Sequence, residues 1–201
     1  MKFIPVNRPL ITKMEADSVA KCIKSGWISG DGPYVKKFEK EFAKTVSRKY
    51  AITVSNGTAA LDIAIKSINI KKGEEVIVPT FTIISCLHQI VRQGGKPVLI
   101  DSDPMTWNMD VSKIEKKITN KTKAIVPVHF TGYMVNMPKL MQISKKYKIP
   151  IVEDACQSIL GEVNNKKAGT WGEFGAFSLH PLKNINVWSD GGIITTNNKK
   201  Y

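Results

Sequence analysis

The chain has 201 residues, 42% of them hydrophobic, and carries 30 Lys and Arg against 17 Asp and Glu for a net charge of +13. That length carries one sizeable core and that composition argues against disorder; no apolar run approaches the roughly 20 residues that span a bilayer, and Met1-Lys2-Phe3-Ile4-Pro5 lacks a signal-peptide stretch, so a cytoplasmic location and no membrane partner are expected. The positive charge raises nucleic-acid binding, but pairs such as Lys36-Lys37, Lys116-Lys117 and Lys166-Lys167 are spread along the chain without any RNA- or DNA-module signature, so a lysine-rich surface that attracts anions is expected instead.

Two helices are predicted first, over 13–24 and 34–46, joined by the turn-rich Ser25-Gly26-Trp27-Ile28-Ser29-Gly30-Asp31-Gly32-Pro33. From residue 50 onward short apolar runs alternate with helical patterns. Strands are predicted over 50–54, 75–78, 96–100, 122–128, 149–153, 174–178 and 192–196. Helices are predicted over 58–68, 83–93, 111–118 (with Asp110 as N-cap) and 137–146. Strand–helix alternation of this kind predicts an α/β fold with a mostly parallel sheet flanked by helices. Runs such as Ala124-Ile125-Val126-Pro127-Val128 are apolar throughout, as strands covered on both faces are. The division expected is an N-terminal helical segment, 1–49, and an α/β large domain, 50–201.

Cys22, Cys86 and Cys156 are scattered without CxxC spacing, and His88, His129 and His180 show no metal-ligand spacing. Reduced, buried thiols and no metal site are expected. Three other stretches carry chemistry. In Val54-Ser55-Asn56-Gly57-Thr58-Ala59-Ala60-Leu61 a strand ends, a glycine turn follows and a helix begins, which aims free N–H groups and the positive helix end at one spot. A phosphate fits there; so does an ordinary N-cap by Ser55 or Thr58. Ile151-Val152-Glu153-Asp154-Ala155-Cys156-Gln157 puts an acidic pair at the C-terminal end of a strand, where ligands bind in open parallel sheets. A carboxylate there holds a cation such as a protonated pyridine, or a surface salt bridge. Ser178-Leu179-His180-Pro181-Leu182-Lys183-Asn184, followed by Asp190-Gly191-Gly192, places a lysine in a loop between two strands. Most lysines are only solvated, but one in a site forms a Schiff base with an aldehyde cofactor. The order phosphate cradle, strand-end carboxylate, loop lysine is the order a pyridoxal-phosphate site needs.

With these stretches, and with Ser25-Gly26-Trp27-Ile28-Ser29, Val78-Pro79-Thr80-Phe81-Thr82 and Val126-Pro127-Val128-His129, the chain resembles the DegT/DnrJ/StrS sugar aminotransferases over nearly its whole length. The resemblance implies an aspartate-aminotransferase-like large domain and the cofactor pyridoxal 5'-phosphate. Lys183 would be the Schiff-base lysine and the catalytic residue. Asp154 would pair with the pyridine nitrogen, Gln157 would lie near the phenolic oxygen, and Gly57, Thr58 and Ser178 would hold the phosphate. The implied reaction moves an amino group, from glutamate by family expectation, onto a nucleotide-linked keto-sugar, in surface polysaccharide or secondary-metabolite biosynthesis. Dehydrating relatives carry His at the lysine position, so Lys183 favours transamination over a sugar dehydratase. Where relatives often stack an aromatic side chain on the cofactor ring, this chain has Ile83. Relatives also continue into a small C-terminal domain and work as homodimers, so a truncated, catalytically silent fragment is the alternative expectation.

Overall fold

The computed structural model describes residues 3–5 and 8–201; Met1, Lys2, Val6 and Asn7 of the N-terminal segment lie outside the described residues. In chain order the elements are α1 (Lys13–Lys24), α2 (Pro33–Thr45), β1 (Tyr50–Val54), α3 (Gly57–Ser67), β2 (Glu75–Pro79), α4 (Ile84–Arg92), β3 (Lys96–Ile100) and β4 (Thr122–Ile125). There follow α5 (Met137–Tyr147), β5 (Val152–Asp154), β6 (Glu162–Val163), β7 (Lys166–Lys167), β8 (Phe174–Ser178) and β9 (Gly192–Thr196). None of the helices among the described residues is long and apolar enough to cross a membrane.

Strands β1-β9-β8-β5 form one sheet and β3-β2-β4 another. Parallel bridges Ile125↔Ile151 and Val128↔Asp154 stitch the two along the β4–β5 seam. β9 runs antiparallel to both of its neighbours, while the β2–β3, β2–β4 and β5–β8 pairs are parallel. The expectation of a mostly parallel sheet between helices therefore holds.

The apolar strands divide their side chains between two cores by period-two alternation. Ile77, Ile125, Phe177 and Ile193 face α2 and α5, where Phe42, Val46, Leu140 and Ile143 pack. Val76, Val78, Ala176 and Ile194 face α3 and α4, where Leu61, Ile65, Cys86 and Ile90 pack. Phe42 meets Phe177 edge to face, with ring centroids 5.1 Å apart. α1 is different: its Thr12–Glu15 capping box is complete, yet it buries no residue.

Two local expectations are corrected, on residues 111–118 and on the cysteines, and one hairpin was not foreseen. Residues 111–118 form two 3-10 turns, Val111–Lys113 and Glu115–Lys117, rather than a helix, although Asp110 does cap the first by accepting the Ser112 N–H. The eight residues bury Val111 and Ile114 while Lys113, Lys116 and Lys117 stay in solvent, too short a stretch to need a full α-helical face. The hairpin β6–β7, unmarked by any apolar run, turns on Asn164 and Asn165, both at positive φ, a conformation asparagine tolerates well. Of the three cysteines only Cys86 is buried; Cys22 and Cys156 are half-buried, and all three are free thiols.

Candidate active site

The site is assembled at the C-terminal ends of β1, β5 and β8. β9 lies between β1 and β8, and its first residue, Gly192, pairs with Val54 on one side and Ser178 on the other. A Cβ at Gly192 would fall 2.4 Å from the Asn56 carbonyl, so only glycine lets β9 pass this close to the start of α3. Gly57 meets the same demand: a Cβ there would sit 2.8 Å from Cys156 Sγ and 2.9 Å from Ser178 Cβ.

Asn56, rather than Ser55 or Thr58, caps α3, its side chain accepting the Ala59 N–H at 2.8 Å. Ala60 donates to the Asn56 carbonyl. These two bonds leave the N–H groups of Gly57 and Thr58 at the positive end of the helix as donors for an anion. The Thr58 hydroxyl is 2.9 Å from that of Ser85, on the first turn of α4. No signal in the sequence marks Ser85, a lone serine on an amphipathic helix.

Asp154 ends β5 and is 2% exposed. Its Oδ1 accepts the Cys156 N–H and its Oδ2 accepts the Cys86 thiol, each at 3.0 Å. It forms no ion pair among the described residues. A buried carboxylate without a cation is costly, so this side chain is suited to receive one from a ligand. Burial first, and the Asp154 charge second, push the Cys86 and Cys156 thiols well above their ordinary range, which keeps both protonated beside the carboxylate.

The neighbouring Glu153, fully buried, accepts the N–H groups of Gly169, Trp171 and Gly172. Arg48 closes the same loop from outside by donating to the carbonyls of Gly169 and Gly172 at 2.9 and 2.7 Å. The acidic pair is thus split: Glu153 anchors a loop, and Asp154 faces the cavity. Gln157 offers its carbonyl oxygen to Thr131 N–H at 3.0 Å, which leaves its amide nitrogen as a donor. Lys183, half-buried, lies in the loop from β8 to β9, held by its own N–H to the His180 carbonyl at 2.8 Å.

Gly57, Thr58, Asp154, Gln157, Ser178 and Lys183, all six residues singled out in the sequence, line one cavity of 340 Å³. Ile83, Ser85, Cys156, His180 and Asp190 are also among the residues of its wall. A larger cavity, 600 Å³, lined by Asp103, Asn108, Asp110 and Tyr133, contains none of the six. The 340 Å³ cavity offers a helix-end anion cradle, a buried carboxylate without a cation, an amide donor and a primary amine. That donor set fits pyridoxal 5'-phosphate: an anion at one end, a protonated ring nitrogen, a phenolic oxygen and an aldehyde.

Several known proteins are similar to this chain in sequence and fold. GDP-perosamine synthase of Escherichia coli O157:H7 is 42% identical over 199 residues, covering 99% of this chain and 54% of that protein. The aminotransferase from Psychrobacter cryohalolentis superposes with a TM-score of 0.89 at 34% identity, over 96% of this chain and 49% of that one. The E. coli GDP-4-keto-6-deoxy-D-mannose-3-dehydratase with bound hydrated PLP superposes at 0.93 and 31% identity, over 97% and 51%. The chain spans about half the length of these relatives. The model of the DegT/DnrJ/EryC1/StrS aminotransferase family matches residues 9–201, and the chain belongs to that family.

Proposed function

We propose that this chain forms the pyridoxal-phosphate site of an aminotransferase that converts a nucleotide-linked keto-sugar to an amino sugar, with glutamate as amino donor. The observation that carries the reading is the convergence of Lys183, the cation-free Asp154 carboxylate and the α3 N-terminus on one cavity. The family and the 42% identity to a GDP-perosamine synthase support the substrate class. The working assembly in this reading is a homodimer, and neither nucleic acid nor membrane takes part.

When bound, pyridoxal phosphate supplies an aldehyde for the amine and a ring that draws electrons from the substrate carbon. Gly57 and Thr58 N–H groups, with the Ser178 hydroxyl, hold the phosphate. Asp154 keeps the proton on the ring nitrogen, and Gln157 donates to the phenolic oxygen. Lys183 Nζ would hold the group through its aldehyde, with the aldehyde oxygen leaving as water, and as a free amine it would carry a proton between the substrate and cofactor carbons. The excess of lysine over acid draws the anionic sugar nucleotide in.

Similarity to a dehydratase raises a second reading, in which the sugar loses a hydroxyl instead of gaining an amine. Lys183 favours transamination, because the resemblance places His there in the dehydrating relatives. Borohydride reduction of the protein after incubation with pyridoxal phosphate, followed by peptide mass mapping, tests the assignment. The adduct is expected on the peptide containing Lys183; an adduct on any other lysine overturns it. A keto-sugar nucleotide with glutamate then yields an amino product, whereas a deoxy product without nitrogen selects the dehydratase.

A further inference from the structure

We propose that Cys86 is a positioning residue for the candidate cofactor site: its thiol, donated from α4, sets the plane of the Asp154 carboxylate that faces the ring nitrogen. This rests on the cofactor reading above. Cys86 and Asp154 are 68 residues apart, so the bond joins two elements that nothing local brings together. The Sγ to Oδ2 distance is 3.0 Å, and Cys86 is 0% exposed. On its other side the sulfur takes the Thr82 hydroxyl at 3.6 Å, which turns the thiol proton toward the carboxylate. Asp154 Oδ1 is already occupied by the Cys156 N–H. With one donor on each oxygen, rotation about the Cβ–Cγ bond is blocked.

The choice of sulfur has a consequence. A thiol is a weak donor, so it orients the carboxylate while leaving most of its charge for a cation. A hydroxyl orients it as well but draws off more charge. Packing alone makes the opposite demand. Cys86 sits among Leu61, Ala64, Ile65 and Ile90, where alanine is tolerated better than serine. The two roles therefore rank Ala and Ser in opposite orders.

The experiment compares the wild-type protein with Cys86→Ala and Cys86→Ser after loading with pyridoxal phosphate. The readouts are the visible circular dichroism per bound cofactor, cofactor dissociation and the melting temperature. Cys86→Ala is expected to lose most of the induced dichroism and to release cofactor about fivefold faster, the scale of one net hydrogen bond. Cys86→Ser should recover the dichroism to near the wild-type signal despite a lower melting temperature. In the cofactor-free protein, the infrared S–H stretching band of Cys86 should shift when Asp154→Asn is introduced. Dichroism that survives in Cys86→Ala, or that tracks melting temperature across the variants, overturns the positioning role, as does an S–H band indifferent to Asp154→Asn. A wild-type protein that takes up no cofactor overturns the cofactor reading itself, and with it this role.

Discussion

His129 Nε2 lies 3.1 Å from Glu153 Oε2, with both side chains at 0% exposure. Because His129 Nδ1 accepts the Val135 N–H, the ring proton belongs on Nε2 and is donated to Glu153. Glu153 thereby collects four donors, three of them backbone N–H groups from 169–172. Its charge ties that loop to the strand whose next residue is Asp154. Replacing Glu153 with Gln turns an acceptor toward N–H groups into a donor. Glu153→Gln is expected to destabilise the fold by at least about 2 kcal/mol. Urea unfolding measures this, and a midpoint equal to that of the wild type would show that the loop does not depend on the Glu153 carboxylate, being held by contacts such as those of Arg48 and Thr195 to its carbonyls.

Asp154→Asn keeps the shape and the Cys156 N–H contact but removes the charge that holds a pyridinium proton. Turnover should fall about 100-fold or more, about 2.7 kcal/mol of transition-state stabilisation, while the phosphate anchor retains cofactor. Steady-state kinetics alongside absorbance of bound cofactor separates the two effects. Near-normal turnover removes Asp154 from the role of ring-nitrogen partner.

Ser178→Ala deletes one hydroxyl donor to the phosphate. A charge-assisted hydrogen bond contributes about 1.5–3 kcal/mol, so cofactor affinity should fall roughly 10- to 100-fold while kcat at saturating cofactor changes little. Equilibrium dialysis reads the affinity, and an unchanged Kd contradicts a phosphate contact.

Gly57→Ala forces a methyl against Cys156 Sγ and Ser178 Cβ, 2.8 and 2.9 Å away. Relief of that overlap moves α3 off the central strands β8 and β9, at a cost of about 1–3 kcal/mol. Weaker cofactor retention and a lower denaturation midpoint should appear together. A variant as stable and as retentive as the wild type would mean that the α3 start has room to spare.

The Cys86 and Cys156 thiols both stand well above the ordinary value of 9.0 in the fold, through burial first and Asp154 second. A raised folded value means that their contribution is fully present below about pH 9 and is lost as pH climbs from there toward the folded values. Each thiol then adds a downward slope of about 1.4 kcal/mol per pH unit to stability. Urea titrations between about pH 8 and pH 11, run on the wild type and on a Cys86→Ser/Cys156→Ser double variant, compare the slopes, with the shallower one expected for the double variant. Parallel slopes would show that the thiols ionise as readily folded as unfolded.

The sequence by itself determined the elements whose signals are local. Apolar runs such as 124–128 mark strands covered on both faces, because alternate side chains need two separate cores. The glycine turn before α3, the acidic pair ending β5 and the loop around Lys183 were legible as chemistry because each motif is contiguous. What only the tertiary structure decided involves partners far apart in the chain. β9 turns antiparallel between β1 and β8, which explains why Gly192 admits no side chain beside Asn56. Within the acidic pair, the fold assigns Glu153 to a loop anchor and Asp154 to the cavity, a division that two adjacent carboxylates do not reveal. Cys86 read as one more scattered thiol until α4, packed on β2 and β3, brought its sulfur to Asp154 at the end of β5. Local periodicity records which face of an element is buried; it carries no record of which distant residue covers that face, because that follows from packing the whole sheet and its helices together.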